Sequence, residues 1–284
     1  MISKRSTTNA ATLVVAFAFS VFGMHAASFD EHGPNGCANL PGYSQLKSAL
    51  AAATATETSG LNNQMWGTIV DRDGVVCAVA FTGTNRGAQW PGSRVISAQK
   101  ANTANAFSLD ASSSSGGSGQ PAGLSLSTAN LYSAVQPGGS LYGLQASNPV
   151  DTEVAYQGPS FLYGTANDPM TGQKIGGVNV FGGGLALYGP GHVLLGGIGV
   201  SGDTSCADHN IAWRTRNNLN LDHMAATGSL PAVGGVAPDP ARPDNIIFDI
   251  KDNPYGGTGI SAGGFGHPTC LNTNGSATLP AVQK

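Results

Sequence analysis

Charge is what this 284-residue chain has least of: Asp, Glu, Lys and Arg together make up 10% of it, against roughly 25% in ordinary soluble domains. Its surface is therefore neutral and polar. The net charge is −3 with no basic cluster, which removes the electrostatic footprint of a nucleic-acid binder. No Cys-x-x-Cys occurs, and no His-x-x-x-His pair among the six histidines, so a structural zinc site has no support. No Gly-Lys-Ser/Thr ending follows the glycine clusters, which precede a strand rather than join a strand to a helix. Both nucleotide-binding fingerprints are thereby excluded. Gly199-Val200-Ser201-Gly202 lacks the G-x-S-x-G elbow, which makes a hydrolase triad of Ser201, His209 and Asp208 a poor candidate. Beyond Gly23 no apolar run is long enough to span a membrane.

What is present begins with an export signal. Lys4 and Arg5 precede the apolar run Leu13 to Gly23, and small residues follow at Ala26, Ala27 and Ser28; this is the pattern of a secretory signal peptide over residues 1–27. The predicted location is periplasmic or secreted. Four cysteines, Cys37, Cys77, Cys206 and Cys270, allow three connectivities, and an even count in an exported chain favours disulfides. Residues 217–284 are rich in proline and glycine and poor in apolar side chains. They read as a long irregular extension wrapping the domain of residues 28–216, with too little apolar surface to hold itself down. Cys206 with Cys270 is the pairing that ties it to the last helix, leaving Cys37 with Cys77.

The stretch Gly176 to Trp213 organises the rest. Two β-rich runs, Gly184 to Tyr188 and Val193 to Val200, flank Gly-Pro-Gly-His, a hairpin signal; a helix follows, capped by Asp203 or Thr204 with Asp208 in its first turn. A second hairpin is predicted from Met65–Val70 and Val75–Phe81 around Asp73-Gly74. Apolar spacing predicts helices over 43–58 and 93–108, a short helix over 127–135 and a strand over 246–250. Ser112 to Gly123 is a low-complexity loop. Gly182, Gly183 and Gly184 mark either a bent sheet edge or a place where a ligand approaches the chain.

The helix of residues 93–108 carries Ile96, Ala104 and Phe107 on one side, but also Ser93, Ser97 and Lys100. An unpaired buried ammonium costs several kcal/mol. Lys100 therefore meets an anion, either an internal aspartate such as Asp71 or Asp203 or an acidic ligand group, loses its proton, or stretches to solvent. His209 is a candidate metal or haem ligand, against the commoner role of a hydrogen-bonded cap or surface residue. Trp66, Trp90 and Trp213 read as core or rim aromatics.

Asp71-Arg72-Asp73-Gly74 between strands, Ser97-x-x-Lys100-Ala101-x-Thr103-Ala104-x-x-Phe107 on a helix, Gly182-Gly183-Gly184, and Gly197-x-Gly199-Val200-Ser201-Gly202 together resemble the GlcG/HbpS-like family of haem-binding proteins, over about Tyr43 to Arg216. The resemblance implies an α+β, profilin-like fold, with a mostly antiparallel sheet of two hairpins, helices on its faces and homo-oligomeric assembly. It also implies haem or corrinoid as ligand, with haem capture, redox sensing and haem degradation among the family's roles. Carried over by position, Lys100, Thr103 and Gly182 to Gly184 line the pocket, joined by Ser93, Ser97 and Phe107 on the same helix and by His209. No histidine stands in the first helix, where related domains place a haem ligand. The resulting reading is an exported binder of an acidic tetrapyrrole such as haem. The competing class is an enzyme acting on a small carbonyl or hydroxy-acid compound, with Lys100 as base or anion clamp and Asp203 and Asp208 as acid or base. A structural oligomer without ligand is the third.

Overall fold

The computed structural model describes residues 36–110 and 123–284; the signal segment and most of the low-complexity loop lie outside them. In chain order the elements are α1 (Tyr43–Thr56), β1 (Trp66–Asp71), β2 (Val76–Phe81), α2 (Ser93–Ala106), β3 (Leu124–Ser125), the single-turn α3 (Leu144–Ser147) and α4 (Thr152–Ala155), β4 (Gly184–Gly189), β5 (Val193–Ser201), α5 (Ser205–Asn218), and the two-residue strands β6 (Gly234–Gly235), β7 (Ile250–Lys251) and β8 (Ile260–Ser261). Both hairpins form where turn chemistry predicts them. In the first, the Asp71 side chain accepts from the Asp73 and Val75 amides at 2.9 Å, while Gly74 takes φ +77°.

The hairpins join through β1 and β5 into one antiparallel sheet of order β2-β1-β5-β4. Strand alternation divides the apolar residues between its two faces. Ile69, Ala78, Ala80, Ile198 and Val200 pack with Leu46 and Leu50 of α1 and with Ile211 and Trp213 of α5. Trp66, Val70, Val79 and Phe81 pack with Val95, Ala98 and Ala101 of α2. The wheel reading of α2 therefore needs correction: Ile96 and Phe107 are only half-buried, and the small residues Ala98 and Ala101 are what meet the sheet.

The glycines of β4 and β5 explain how closely α2 lies. A Cβ on Gly199 would stand 1.8 Å from the Ser97 carbonyl oxygen, one on Gly197 2.3 Å from that of Ala101, and one on Gly184 2.5 Å from that of Lys100. Helix and sheet backbones are thus in direct contact, which no residue with a side chain permits at these positions.

Two local expectations change, and one alternative is decided. The segment 127–135 forms two 3-10 turns, Thr128–Leu131 and Ser133–Val135. The run 246–250 is a strand only at Ile250, because the Ile246 amide is satisfied by the Asn245 side chain and Ile247 O accepts from the His267 amide. Thr204, not Asp203, caps α5; the Asp203 carboxylate accepts instead from the amides of Leu61, Asn63 and Thr204.

The C-terminal residues are anchored at several points. Tyr188 of β4 exchanges backbone bonds with Leu221 and His223. Trp213 Nε1 donates to Pro280 O at 3.0 Å, Leu279 and Val282 enter the α1–α5 core, and Arg216 forks onto Asp244 at 2.6 and 2.9 Å with both side chains fully buried. Both predicted disulfides, Cys37–Cys77 and Cys206–Cys270, are present.

Candidate functional site

The structure gathers Lys100, Gly182, Gly183, Gly184 and His209 into one interior knot. Lys100 is fully buried and bonds Asp208 Oδ2 at 2.7 Å and Val200 O at 3.1 Å, with its ammonium 4.4 Å from the centre of the Phe181 ring. Its carboxylate partner is thus Asp208, not Asp71 or Asp203, because the first turn of α5 faces α2 across the glycine loop. Burial pushes the Asp208 carboxyl up to about 6 and the Lys100 ammonium down, the opposite charge opposing burial in each case. Fully buried, with two of its three N–H donors on Asp208 and Val200 O and the Phe181 ring beside it, Lys100 is not placed as a free base or anion clamp.

The glycine loop itself is tied by hydroxyls. Thr128 Oγ1 donates to Phe181 O at 2.7 Å and accepts from the Gly184 amide at 2.9 Å. Ser205 Oγ accepts from the Gly182 amide at 2.7 Å and bonds His267 Nε2 at the same distance. A Cβ on Gly183, which has φ +116°, would stand 2.3 Å from Val200 O and 3.0 Å from Lys100 Nζ. Protein atoms therefore fill the space that the ligand reading assigned to these glycines.

The remaining predicted residues are buried or half-buried within the protein. Ser93 is buried; Ser97 Oγ donates to Arg94 O and accepts from Thr68 Oγ1, both at 2.7 Å. Thr103 Oγ1 donates to Gln99 O at 2.8 Å and accepts from the Asn179 amide at 3.0 Å. Phe107 packs half-buried beside Leu126 and Val178. None of these residues lines the four cavities that stand out on the described surface.

His209 is neither cap nor surface residue. It is fully buried, 6.0 Å from the Trp213 ring, and neither ring nitrogen has a hydrogen-bond partner of acceptable geometry, although Asn245 approaches. Burial pushes its pKa down to about 3. A depressed pKa means that the unfolded chain binds the proton more tightly, so this contribution to stability is complete above about pH 6.5 and is lost as pH falls toward 3. Asp208, with its raised pKa, acts in the opposite sense between about pH 4 and 6. Melting temperatures of the wild type and His209→Leu at pH 7 and 4.5 separate the two. The wild type should lose more stability on acidification, by up to about 1.4 kcal/mol per pH unit; parallel curves would show that His209 does not titrate in this window.

An open site lies elsewhere, between the start of α1, the loop after β2 and the loop of residues 159–165. Its cavity measures about 650 Å³, is walled by Tyr43, Phe81, Phe161 and Tyr163, and carries Lys47 and Arg86 but no Asp or Glu. The floor is built from the core outward. Phe81 stacks on buried Trp66 at 4.5 Å between ring centres. Gly164 at φ +75° lets its loop lie against the Trp66 ring and the base of Phe81, since a Cβ there would stand 2.8 Å from Trp66 Cζ3 and 2.7 Å from Phe81 Cβ. Buried Arg94 pins that loop: it pairs with Asp168, bonds Ala155 O at 2.7 Å and covers the Tyr163 ring at 3.6 Å.

The cations stand on opposite walls. Lys47, one turn along α1 from Tyr43, donates to its hydroxyl at 3.1 Å, and Arg86 donates to Ser160 Oγ at 2.9 Å. Neither has a carboxylate partner among the described residues. Aromatic walls with two cations that have no carboxylate partner among the described residues suit a flat, apolar ligand bearing acidic groups. Sequence reasoning missed this groove because its residues come from three separated segments; the Tyr43/Lys47 spacing of four on a helix was the only local signal.

Fold and groove define a class: an α+β domain with a four-stranded antiparallel sheet covered by helices on both faces and an open aromatic groove at one end. The profile of the family described as haem degrading protein HbpS-like matches residues 44–216, and the chain belongs to that family. Similar solved structures include the PduOC:heme complex, at 23% identity over 63% of this chain and 91% of that one with a TM-score of 0.40. Klebsiella pneumoniae protein ORFY, of family DUF336, is 24% identical over 62% of this chain and 87% of that one, with a TM-score of 0.39. No curated protein matches the sequence.

Proposed function

We propose that this is an exported haem-binding protein, acting in haem capture, whose groove between α1 and the two loops seats the porphyrin. The observation that carries the reading is the acid-free aromatic groove with two cations that have no carboxylate partner among the described residues, in a chain of the HbpS-like family. The ring would lie against Phe81, Phe161 and Tyr163, while Arg86 meets a propionate and Lys47, bonded to the Tyr43 hydroxyl, adds positive charge beside the ring. Phe161 is 75% exposed, a cost that a bound apolar ring would remove. Haem would supply iron redox and ligand chemistry; the chain supplies the apolar walls and the charge complement. Lys100 and the glycine loop frame the sheet behind this site, and His209 remains inside. Export is supported by the basic start and apolar run of the sequence and by the two disulfides. Homo-oligomeric assembly belongs to the same reading and is tested by light scattering of the mature chain.

The test is a haem titration of charge-reversed protein. Lys47→Glu with Arg86→Glu should weaken binding at least tenfold, about 1.4 kcal/mol, and unchanged melting should accompany it because both side chains are exposed. Equal affinity in the reversed protein would move the site off this groove.

A further inference from the structure

We infer that Tyr43 binds the iron of haem seated in the groove, through its phenolate oxygen. This rests on the haem reading above. The groove residues include no histidine, cysteine or methionine, so an iron ligand from this wall must be a phenol or the amine of Lys47, which is already a hydrogen-bond donor there.

The two phenols of the groove differ in what they are bonded to. The Tyr163 hydroxyl donates to Tyr156 O at 2.8 Å, with Gln157 O 3.1 Å away, and its ring is covered by Arg94. Using its oxygen on iron would break the contacts that hold the 159–165 loop. The Tyr43 hydroxyl accepts from Lys47 Nζ at 3.1 Å, and its bonds among the described residues include no acceptor for its own proton. Its proton can therefore leave without costing the fold a bond. Lys47, placed one turn on by the helix, then donates a charge-assisted bond to an oxygen that has become anionic.

The step is a ligand substitution without redox. The phenol O–H bond breaks and its proton passes to solvent; an oxygen lone pair forms the bond to iron(III), displacing a bound water; the iron keeps its oxidation state. Tyrosine ligation of ferric haem is an established mode in other folds, and the hard anionic oxygen suits iron(III) over iron(II).

The test uses the mature chain with added ferric haem, comparing wild type, Tyr43→Phe and Tyr163→Phe by absorption and by resonance Raman excited in the charge-transfer region. Far-UV circular dichroism checks folding, and Phe keeps the ring that packs on the core. The wild type should show phenolate-to-iron charge transfer and phenolate vibrations, and Tyr163→Phe should keep both in whatever haem it binds, although losing its hydroxyl bonds loosens the 159–165 loop and lowers affinity. Tyr43→Phe should lose both and bind haem at least tenfold more weakly. A phenolate signature that survives in Tyr43→Phe, or a wild type that binds haem without one, overturns the assignment while leaving the groove reading in place. A wild type that binds no haem overturns both.

Discussion

Lys100→Ala should cost about 3–5 kcal/mol of stability, the range found when one partner of a buried ion pair is removed. The ammonium is fully buried and bonded to Asp208 at 2.7 Å, so truncation strands a carboxylate whose pKa burial already pushes up to about 6. Without Lys100 that pKa rises further. A raised acid pKa contributes stability that is present below the unfolded value and is lost as pH rises through the folded one, so the penalty should be smaller at pH 5 than at pH 7.5. Removing both charges, as in Lys100→Met with Asp208→Leu, should recover most of the loss, because a buried pair replaced by apolar groups of similar volume is often neutral. Chemical denaturation of the three variants at the two pH values measures this. A loss below about 1 kcal/mol for Lys100→Ala would mean that the pair is not closed in solution. Haem affinity per folded molecule should be unchanged, since Lys100 does not line the groove.

Opening the Cys206–Cys270 bond should be of similar size. It closes a separation of 64 residues, and in the chain-entropy model such a crosslink stabilises by about 4 kcal/mol. The bond fastens the extension to the first turn of α5, where the Cys206 amide also donates to Cys270 Sγ at 3.2 Å. Cys206→Ala with Cys270→Ala should therefore lower the melting temperature and let proteases cut near residues 250–270, while the Arg216–Asp244 fork keeps the chain near Asp244 protected. Unchanged melting would mean that the buried contacts of Asp244, Leu279 and Val282 hold the extension by themselves.

Much of the fold was legible in the sequence because its signals are local. Asp73-Gly74 and Gly-Pro-Gly-His set the hairpins, the spacing of Leu46, Ala49, Leu50 and Ala53 set α1, and Cys270 pointed to Cys206 of the last helix; the extension's own apolar anchors, Leu221, Met224, Val233, Leu279 and Val282, went unread. The glycines were legible as special positions but not as to cause. Only the register that sets Thr68 opposite Gly199 and the approach of α2 show that Gly184, Gly197 and Gly199 serve helix–sheet contact. Lys100 was recognised as a buried cation needing a partner, yet its partner depends on how α5 faces α2, which no spacing encodes. The groove was the least legible part. Its walls come from residues near 43, 86 and 161, and the last of these sits in a segment whose sequence reads as loop; Arg94–Asp168 and Gly164 hold that loop on the Trp66–Phe81 stack through contacts distant in sequence.

The most direct measurement is a haem titration followed by absorbance on the wild type, Lys47→Glu/Arg86→Glu and Lys100→Ala, each corrected for the folded fraction. The groove account predicts saturable binding by the wild type, affinity at least tenfold weaker in the charge-reversed protein, and wild-type affinity in Lys100→Ala. Affinity lost in Lys100→Ala but kept in the charge-reversed protein would contradict it and return the ligand to the interior face of α2.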